Sequence, residues 1–232
     1  MGKKNLGIVI TGGSSGIGEA SAIALAEGNR VFLIGRDQDR LTKVAKKVES
    51  NGGTAYTCVC NVGDTNDVEQ AFVQIDNDLG QIDILFTNAG VGYFGYLEDM
   101  TTEQFDIQFN TNVRGVFLFL RKALPGMKNR NTGQIIVTSS NLGLETSGRA
   151  SIYSATKHAV QAMIECLRAE LLDTGVKAAT INPGSVSTPW YDGKNVDRSK
   201  MLTAEDVART VRFIVDQSQS SDIDHVLLYP RK

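Results

Sequence analysis

Short apolar runs alternate along the chain with longer stretches in which apolar residues recur every three or four positions. That is the pattern of buried strands separated by amphipathic helices. The first strand is expected at Leu6 to Ile10, with a helix from Gly16 to about Glu27, stopped by Gly28-Asn29. A second strand runs from Arg30 to Gly35, and Asp37 then stands where an N-cap is wanted before a helix over Gln38 to Ser50. Asn51-Gly52-Gly53 turns the chain into a strand at Thr54 to Val59, followed by a helix at Asp64 to Leu79 and a strand at Ile82 to Thr87. One long helix is expected from Thr102 to Met127, then a strand at Gly133 to Ser139 and a helix at Arg149 to Leu172. Val176 to Ile181 reads as a strand broken by Asn182-Pro183-Gly184, and Thr188 to Met201 as a loop or lid. Thr203, with Asp206 as its box-like partner, caps a helix over Ala204 to Val215, and His225 to Leu228 is the last strand. Strict alternation of this kind argues βαβ units in an α/β, doubly wound sheet with helices on both faces. Without an internal repeat or linker, residues 1–232 are expected to form one domain.

Composition narrows the function classes. The 232 residues carry a net charge of −2 and no basic block, so neither nucleic acid nor a membrane surface is expected as a partner. The apolar segment before the first glycine turn is too short for a signal-peptide core, and no run approaches a membrane span. Cys58, Cys60 and Cys166 form neither a disulfide framework nor a metal motif, which suits a reducing, cytoplasmic setting. His158 and His225 are isolated, so no metal site is expected.

The chemistry concentrates in Tyr153-Ser-Ala-Thr-Lys157, on the long helix after the fifth strand. Positions i and i+4 share a helix face, so the phenol and the ammonium are neighbours. A phenol titrates at about 10 and an adjacent cation favours its ionised form, so Lys157 is expected to bring Tyr153 toward the range of general acid–base catalysis. Upstream, the strand Ile135-Ile-Val-Thr-Ser-Ser140 ends in a hydroxyl pair. Strand alternation sends Ser139 and Ser140 to opposite faces, and Ser140 is the candidate for orienting a substrate carbonyl. Near the start, Thr11-Gly-Gly-Ser-Ser-Gly-Ile-Gly18 joins strand to helix. Its glycines allow a tight turn and close approach of backbone to a pyrophosphate at a helix N-terminus.

Together with Asn88-Ala-Gly90, Asn112-Val-Arg-Gly-Val-Phe117 and Pro183-Gly-Ser-Val-Ser-Thr188, these motifs resemble, in order and over nearly the whole chain, the short-chain dehydrogenase/reductase family in its minimal single-domain form. The resemblance implies a Rossmann-type, mostly parallel seven-stranded sheet of order 3-2-1-4-5-6-7. It implies a catalytic set of Asn112, Ser140, Tyr153 and Lys157, with Asn112 holding a water that links the lysine to solvent. For the cofactor it implies contacts from Gly12, Ser14, Ser15, Gly16, Ile17 and Gly18, and from Asn61 and Val62. Asn88, Ala89, Gly90, Tyr153, Lys157, Pro183, Gly184, Val186 and Thr188 complete that set. Asn61 stands where the family usually has Asp, Thr87 replaces a more usual Asn, and the family's Asp-Gly-Gly close is missing after Leu228.

The expected activity is interconversion of a carbonyl and a secondary alcohol, with NADP(H) preferred and NAD(H) possible. Gly35 closes the second strand where a NAD-selecting acid belongs; Arg36 follows with a planar fork suited to a 2′-phosphate, and Asp37 is better used as the helix cap. Tyr93, Phe94, Leu142 to Glu145, Trp190 and Tyr191 are expected to line an apolar substrate pocket. A 3-oxoacyl-thioester reductase of fatty-acid synthesis and an NADP(H)-sensing regulator without turnover are the alternatives. The two long helices suggest a homodimer or homotetramer.

Overall fold

The computed structural model describes residues 2–231; Met1 and Lys232, the ends of the expected 1–232 domain, lie outside the described residues. Seven parallel strands form one sheet: β1 (Gly7–Thr11), β2 (Arg30–Gly35), β3 (Thr54–Val59), β4 (Ile84–Thr87), β5 (Gly133–Thr138), β6 (Val176–Pro183) and, after the two short strands described below, β9 (His225–Leu228). Their order, β3-β2-β1-β4-β5-β6-β9, is the expected one. It reverses between β1 and β4, and the crevice at the carboxyl ends of those two strands is where such sheets place a ligand.

Alternation along each strand builds two cores. Ile8 and Ile10 face α1 (Gly16–Ala24), α2 (Gln38–Ser50) and α7 (Ala204–Val215), packing with Leu25, Leu41, Val207 and Val211. Val9 points the other way, into the layer of α3 (Thr65–Asp78), α5 (Gly115–Asn129) and α6 (Ser151–Glu170), with Phe119, Val160 and Ile164. Helix starts follow the capping chemistry of the sequence. Asp37 accepts the Arg40 N–H at 3.0 Å, and Thr203 and Asp206 bond reciprocally as a capping box.

The helix expected from Thr102 to Met127 is two helices. Here α4 (Thr102–Phe109) passes through a π turn at Asn110–Arg114 before α5 begins. Within that turn lies Asn112, whose buried side-chain amide bonds Val91 and Thr156. The last long helix begins at Ser151 rather than Arg149, because Arg149 has φ +63°, a left-handed conformation that a helix cannot use. Asn182 and Pro183 do not break β6; they pair with Leu227 and Leu228 of β9. The segment expected as a loop or lid, Thr188 to Met201, holds two single 3-10 turns. It is bracketed by a further pair of short strands, β7 (Val186–Ser187) and β8 (Leu202–Thr203).

Candidate active site

A cleft of about 550 Å³ opens at the reversal point of the sheet. One wall is the β1–α1 turn, with Gly12, Ser14, Ser15, Gly16 and Ile17 all lining it. Gly12 and Gly16 take φ of +65° and +56°, so β-carbons there would be strained, and the one at Gly12 would lie 2.9 Å from Ala89 Cα. The N-cap residue of α1, Ser15, makes no side-chain capping bond, which leaves leading N–H groups of the helix available to an anion. Gly18, expected among the cofactor contacts, lies behind the turn rather than in the lining of the cleft. A β-carbon there would stand 2.2 Å from the Gly12 carbonyl oxygen, so this glycine lets α1 close against the turn.

Arg36 and Arg40 reach the cleft beside Gly35, and Asn61 and Val62 lie at its β3 side. Arg40 was not foreseen; its signal is its position one turn into α2, four residues after Arg36. Asn61 Oδ1 already accepts the Gly63 N–H at 3.2 Å, and its backbone N–H is held by Asp67 at 2.8 Å. Asn88, Ala89 and Gly90 line the floor. The Asn88 side chain knits three strands, donating to the Thr11 and Gly12 carbonyls and accepting the Thr138 hydroxyl at 3.0 Å.

Ser140, Tyr153 and Lys157 converge at the inner end. Alternation separates the two serines as expected: Ser139 Oγ donates to the Lys157 carbonyl at 3.2 Å, whereas Ser140 hydrogen-bonds the Tyr153 hydroxyl. Lys157 is buried, and its ammonium donates to the Thr138 carbonyl at 2.8 Å while lying 5.7 Å from the Tyr153 ring centre. Burial pulls the Lys157 pKa down to about 8. Burial also pushes Tyr153 up to about 12, against the opposing pull of the Ser140 hydrogen bond. The expected lowering of the tyrosine is therefore corrected: desolvation outweighs a cation whose charge is directed at a backbone carbonyl.

Asn112 sits behind the cleft rather than in its lining. Its Oδ1 accepts the Val91 N–H at 2.8 Å, and its Nδ2 donates to the Val91 carbonyl and the Thr156 hydroxyl at 2.8 and 3.0 Å. It ties the Gly90–Val91 backbone to the helix that carries Tyr153 and Lys157.

Pro183, Gly184, Val186 and Thr188 form the facing wall, and Thr188 closes on the glycine turn: a Gly16 β-carbon would come 3.1 Å from Thr188 Cβ. Of the expected substrate-pocket residues, Phe94, Leu142, Trp190 and Tyr191 line the cleft; Tyr93, Gly143, Leu144 and Glu145 do not. The Tyr153 ring is flanked by Phe94 at 5.2 Å and Trp190 at 5.9 Å between centres. Trp190 also presses on Gly92, where a β-carbon would come 2.6 Å from its ring. No group of three or more His, Cys, Asp or Glu side chains suited to a metal occurs among the described residues. Likewise, no described helix is long and apolar enough to cross a membrane.

A glycine-rich strand–helix turn facing a half-buried tyrosine and a buried serine and lysine defines a dinucleotide-dependent oxidoreductase site on a doubly wound sheet. Residues 7–199 match the family model described as short chain dehydrogenase, and the chain belongs to that family, whose members act on CH–OH groups. An uncharacterized oxidoreductase of Staphylococcus saprophyticus is 32% identical over 224 residues, covering 96% of both chains. A glycine betaine reductase of Emericella nidulans is 31% identical over 96% of this chain, which spans 18% of that protein. Among solved structures, an alcohol dehydrogenase from the archaeon Thermococcus sibiricus, complexed with 5-hydroxy-NADP, superposes with a TM-score of 0.91 at 28% identity, covering 98% of this chain and 97% of that one. A 3-ketoacyl-(acyl-carrier-protein) reductase from Brucella melitensis, complexed with NADH, gives 0.89 at 26% identity and 97% coverage of each.

Proposed function

We propose that this protein is a single-domain, NADP(H)-dependent oxidoreductase that interconverts a carbonyl and a secondary alcohol, with residues 188–201 as its substrate lid. The observation that carries the reading is the convergence of Ser140, Tyr153 and Lys157 in the same cleft as the glycine turn. The turn and the α1 N-terminus suit a pyrophosphate, and Arg36 and Arg40 suit a ribose 2′-phosphate beside Gly35, which brings no opposing charge. When bound, the nicotinamide supplies the hydride.

The chain's own residues do the rest. Ser140 directs a hydroxyl at the substrate carbonyl, and Tyr153 gives its proton to the oxygen as negative charge develops there. A phenol held near 12 keeps its proton at neutral pH, yet a forming alkoxide is a stronger base and takes it. Lys157 is cationic below about pH 8 and steadies the phenolate that remains. Asn112 holds the wall beside them. Phe94, Leu142 and Trp190 give the substrate end an apolar, aromatic surface, which favours hydrophobic ketones or aldehydes over phosphorylated ones. A cytoplasmic setting and a homodimer or homotetramer complete the reading.

The test is a panel of carbonyl compounds with purified protein, following loss of NADPH absorbance. Turnover of apolar ketones or aldehydes supports the reading; NADPH binding without turnover of any carbonyl would make the protein a sensor.

A further inference from the structure

The bonding around Ser140 bears on which carbonyls the site selects, a question that rests on the reductase reading above. Ser140 Oγ accepts the Leu142 N–H at 3.1 Å and is hydrogen-bonded to the Tyr153 hydroxyl. Its one hydrogen has three acceptors in reach, the Tyr153 hydroxyl oxygen, Asn141 Oδ1 at 3.1 Å and the Pro183 carbonyl at 3.5 Å, and of the last two Asn141 is the nearer. The orientation of the Asn141 amide is fixed from outside the cleft. Its Nδ2 donates to Glu145 Oε1 at 2.7 Å, and the same oxygen accepts the Tyr229 hydroxyl at 2.9 Å. A carboxylate only accepts, so the amide nitrogen faces Glu145 and the amide oxygen faces the serine. Tyr229 is anchored in turn, because Gly184 N–H bonds the Leu228 carbonyl at 2.8 Å and Tyr229 and Pro230 pack over Gly184. A chain of contacts, Tyr229–Glu145–Asn141, thus ends on the serine of the site, and Asn141 itself lines the cleft.

A carbonyl that takes the Ser140 hydrogen deprives Asn141 Oδ1 of its donor, and a partly buried acceptor left unpaired is unfavourable. We propose that Asn141 is a specificity-determining residue, and that the preferred substrates are ketones or aldehydes with a hydroxyl on the carbon next to the carbonyl. As the serine turns to the carbonyl, that hydroxyl replaces it at Asn141, and no acceptor is left without a partner. A ketone lacking a donor there cannot make the exchange. Phe94 and Trp190 take the apolar remainder of the molecule. In the reaction the carbonyl carbon gains a hydride from NADPH and its oxygen gains the Tyr153 proton. The neighbouring hydroxyl is unchanged, and the product is a vicinal diol.

The experiment compares kcat/KM for α-hydroxyacetophenone and its O-methyl ether with NADPH, since the ether keeps the α-oxygen and its activation of the carbonyl, is one CH2 group larger, and has no donor; the same pair measured on Asn141→Leu separates the lost donor from the added size. The unmodified protein should favour the hydroxy ketone by about tenfold or more, a difference of about 1.4 kcal/mol. Asn141→Leu should bring the ratio close to one, and Glu145→Leu should lower it by freeing the amide to turn. NADPH affinity, measured by fluorescence, reports whether each variant is folded; if Asn141→Leu does not bind NADPH, the ratio in Glu145→Leu decides. A ratio near one in the unmodified protein, or an unchanged ratio in the deciding variant, overturns the inference and leaves the reductase reading standing. Reduction of no carbonyl at all overturns both.

Discussion

The carboxylate of Asp37 is bound to Arg40 twice, accepting its backbone N–H at 3.0 Å and meeting its guanidinium Nε at 3.3 Å. An acid so engaged caps α2 and steadies an arginine at the cleft instead of reading a ribose hydroxyl. NADPH is therefore expected to exceed NADH in kcat/KM by about tenfold or more, within the reach of one charge-assisted contact. Arg36→Ala should lose most of that preference through a raised KM for NADPH, and Arg36→Ala with Arg40→Ala the remainder. Equal kcat/KM for the two cofactors in the unmodified protein would mean that Asp37 reads the ribose after all.

The buried lysine sets a pH dependence. With its pKa pulled down to about 8, Lys157 is charged below that value and neutral above it. Carbonyl reduction that needs the cation should show kcat/KM steady toward neutral pH and falling as pH rises through about 8 in the free enzyme. Lys157→Met should lower kcat/KM by about a hundredfold and remove that limb of the profile. A profile flat to pH 10 in the unmodified protein would show that the charge of Lys157 is not used.

Gly18 tests the packing of the cofactor turn. A methyl group there would meet the Gly12 carbonyl oxygen at 2.2 Å, backbone that cannot give way cheaply. Gly18→Ala should destabilise the protein by about 1–3 kcal/mol, read as a lower melting temperature, and weaken NADPH binding. An unchanged melting temperature would show that α1 has slack to move.

Association with a second copy is expected from the apolar surface on α4 and α5. Phe105 and Phe117, on α4 and α5, are 43% and 46% exposed, and Phe105 stacks on Phe109 at 4.4 Å. Apolar side chains gathered on neighbouring helices favour association with a second copy. Light scattering should give a dimer or tetramer; a mass near the 25.1 kDa of one chain at micromolar concentration would refute it.

Much of this was legible because it rests on local rules. Strand alternation told Ser140 from Ser139, and the need for a cap at α2 told where the Asp37 carboxylate goes. What the sequence did not show depends on contacts distant along the chain. Asn112 lies in a π turn and bonds Val91 and Thr156, residues of a loop and of another helix. Spacing on a helix brought Lys157 beside Tyr153, but burial, a property of the whole fold, determined which way the phenol's pKa moved. Asn141 acquired significance only once Glu145 and Tyr229 were seen to orient it.

The central claim is that Tyr153 supplies the proton. The direct measurement is turnover of a reducible ketone by Tyr153→Phe, alongside NADPH affinity of the same sample. The substitution keeps the ring between Phe94 and Trp190 and removes the hydroxyl, with its transferable proton and its bond to Ser140. The account predicts NADPH binding close to that of the unmodified protein, with kcat reduced by about a thousandfold or more. Substantial turnover in that variant would contradict it.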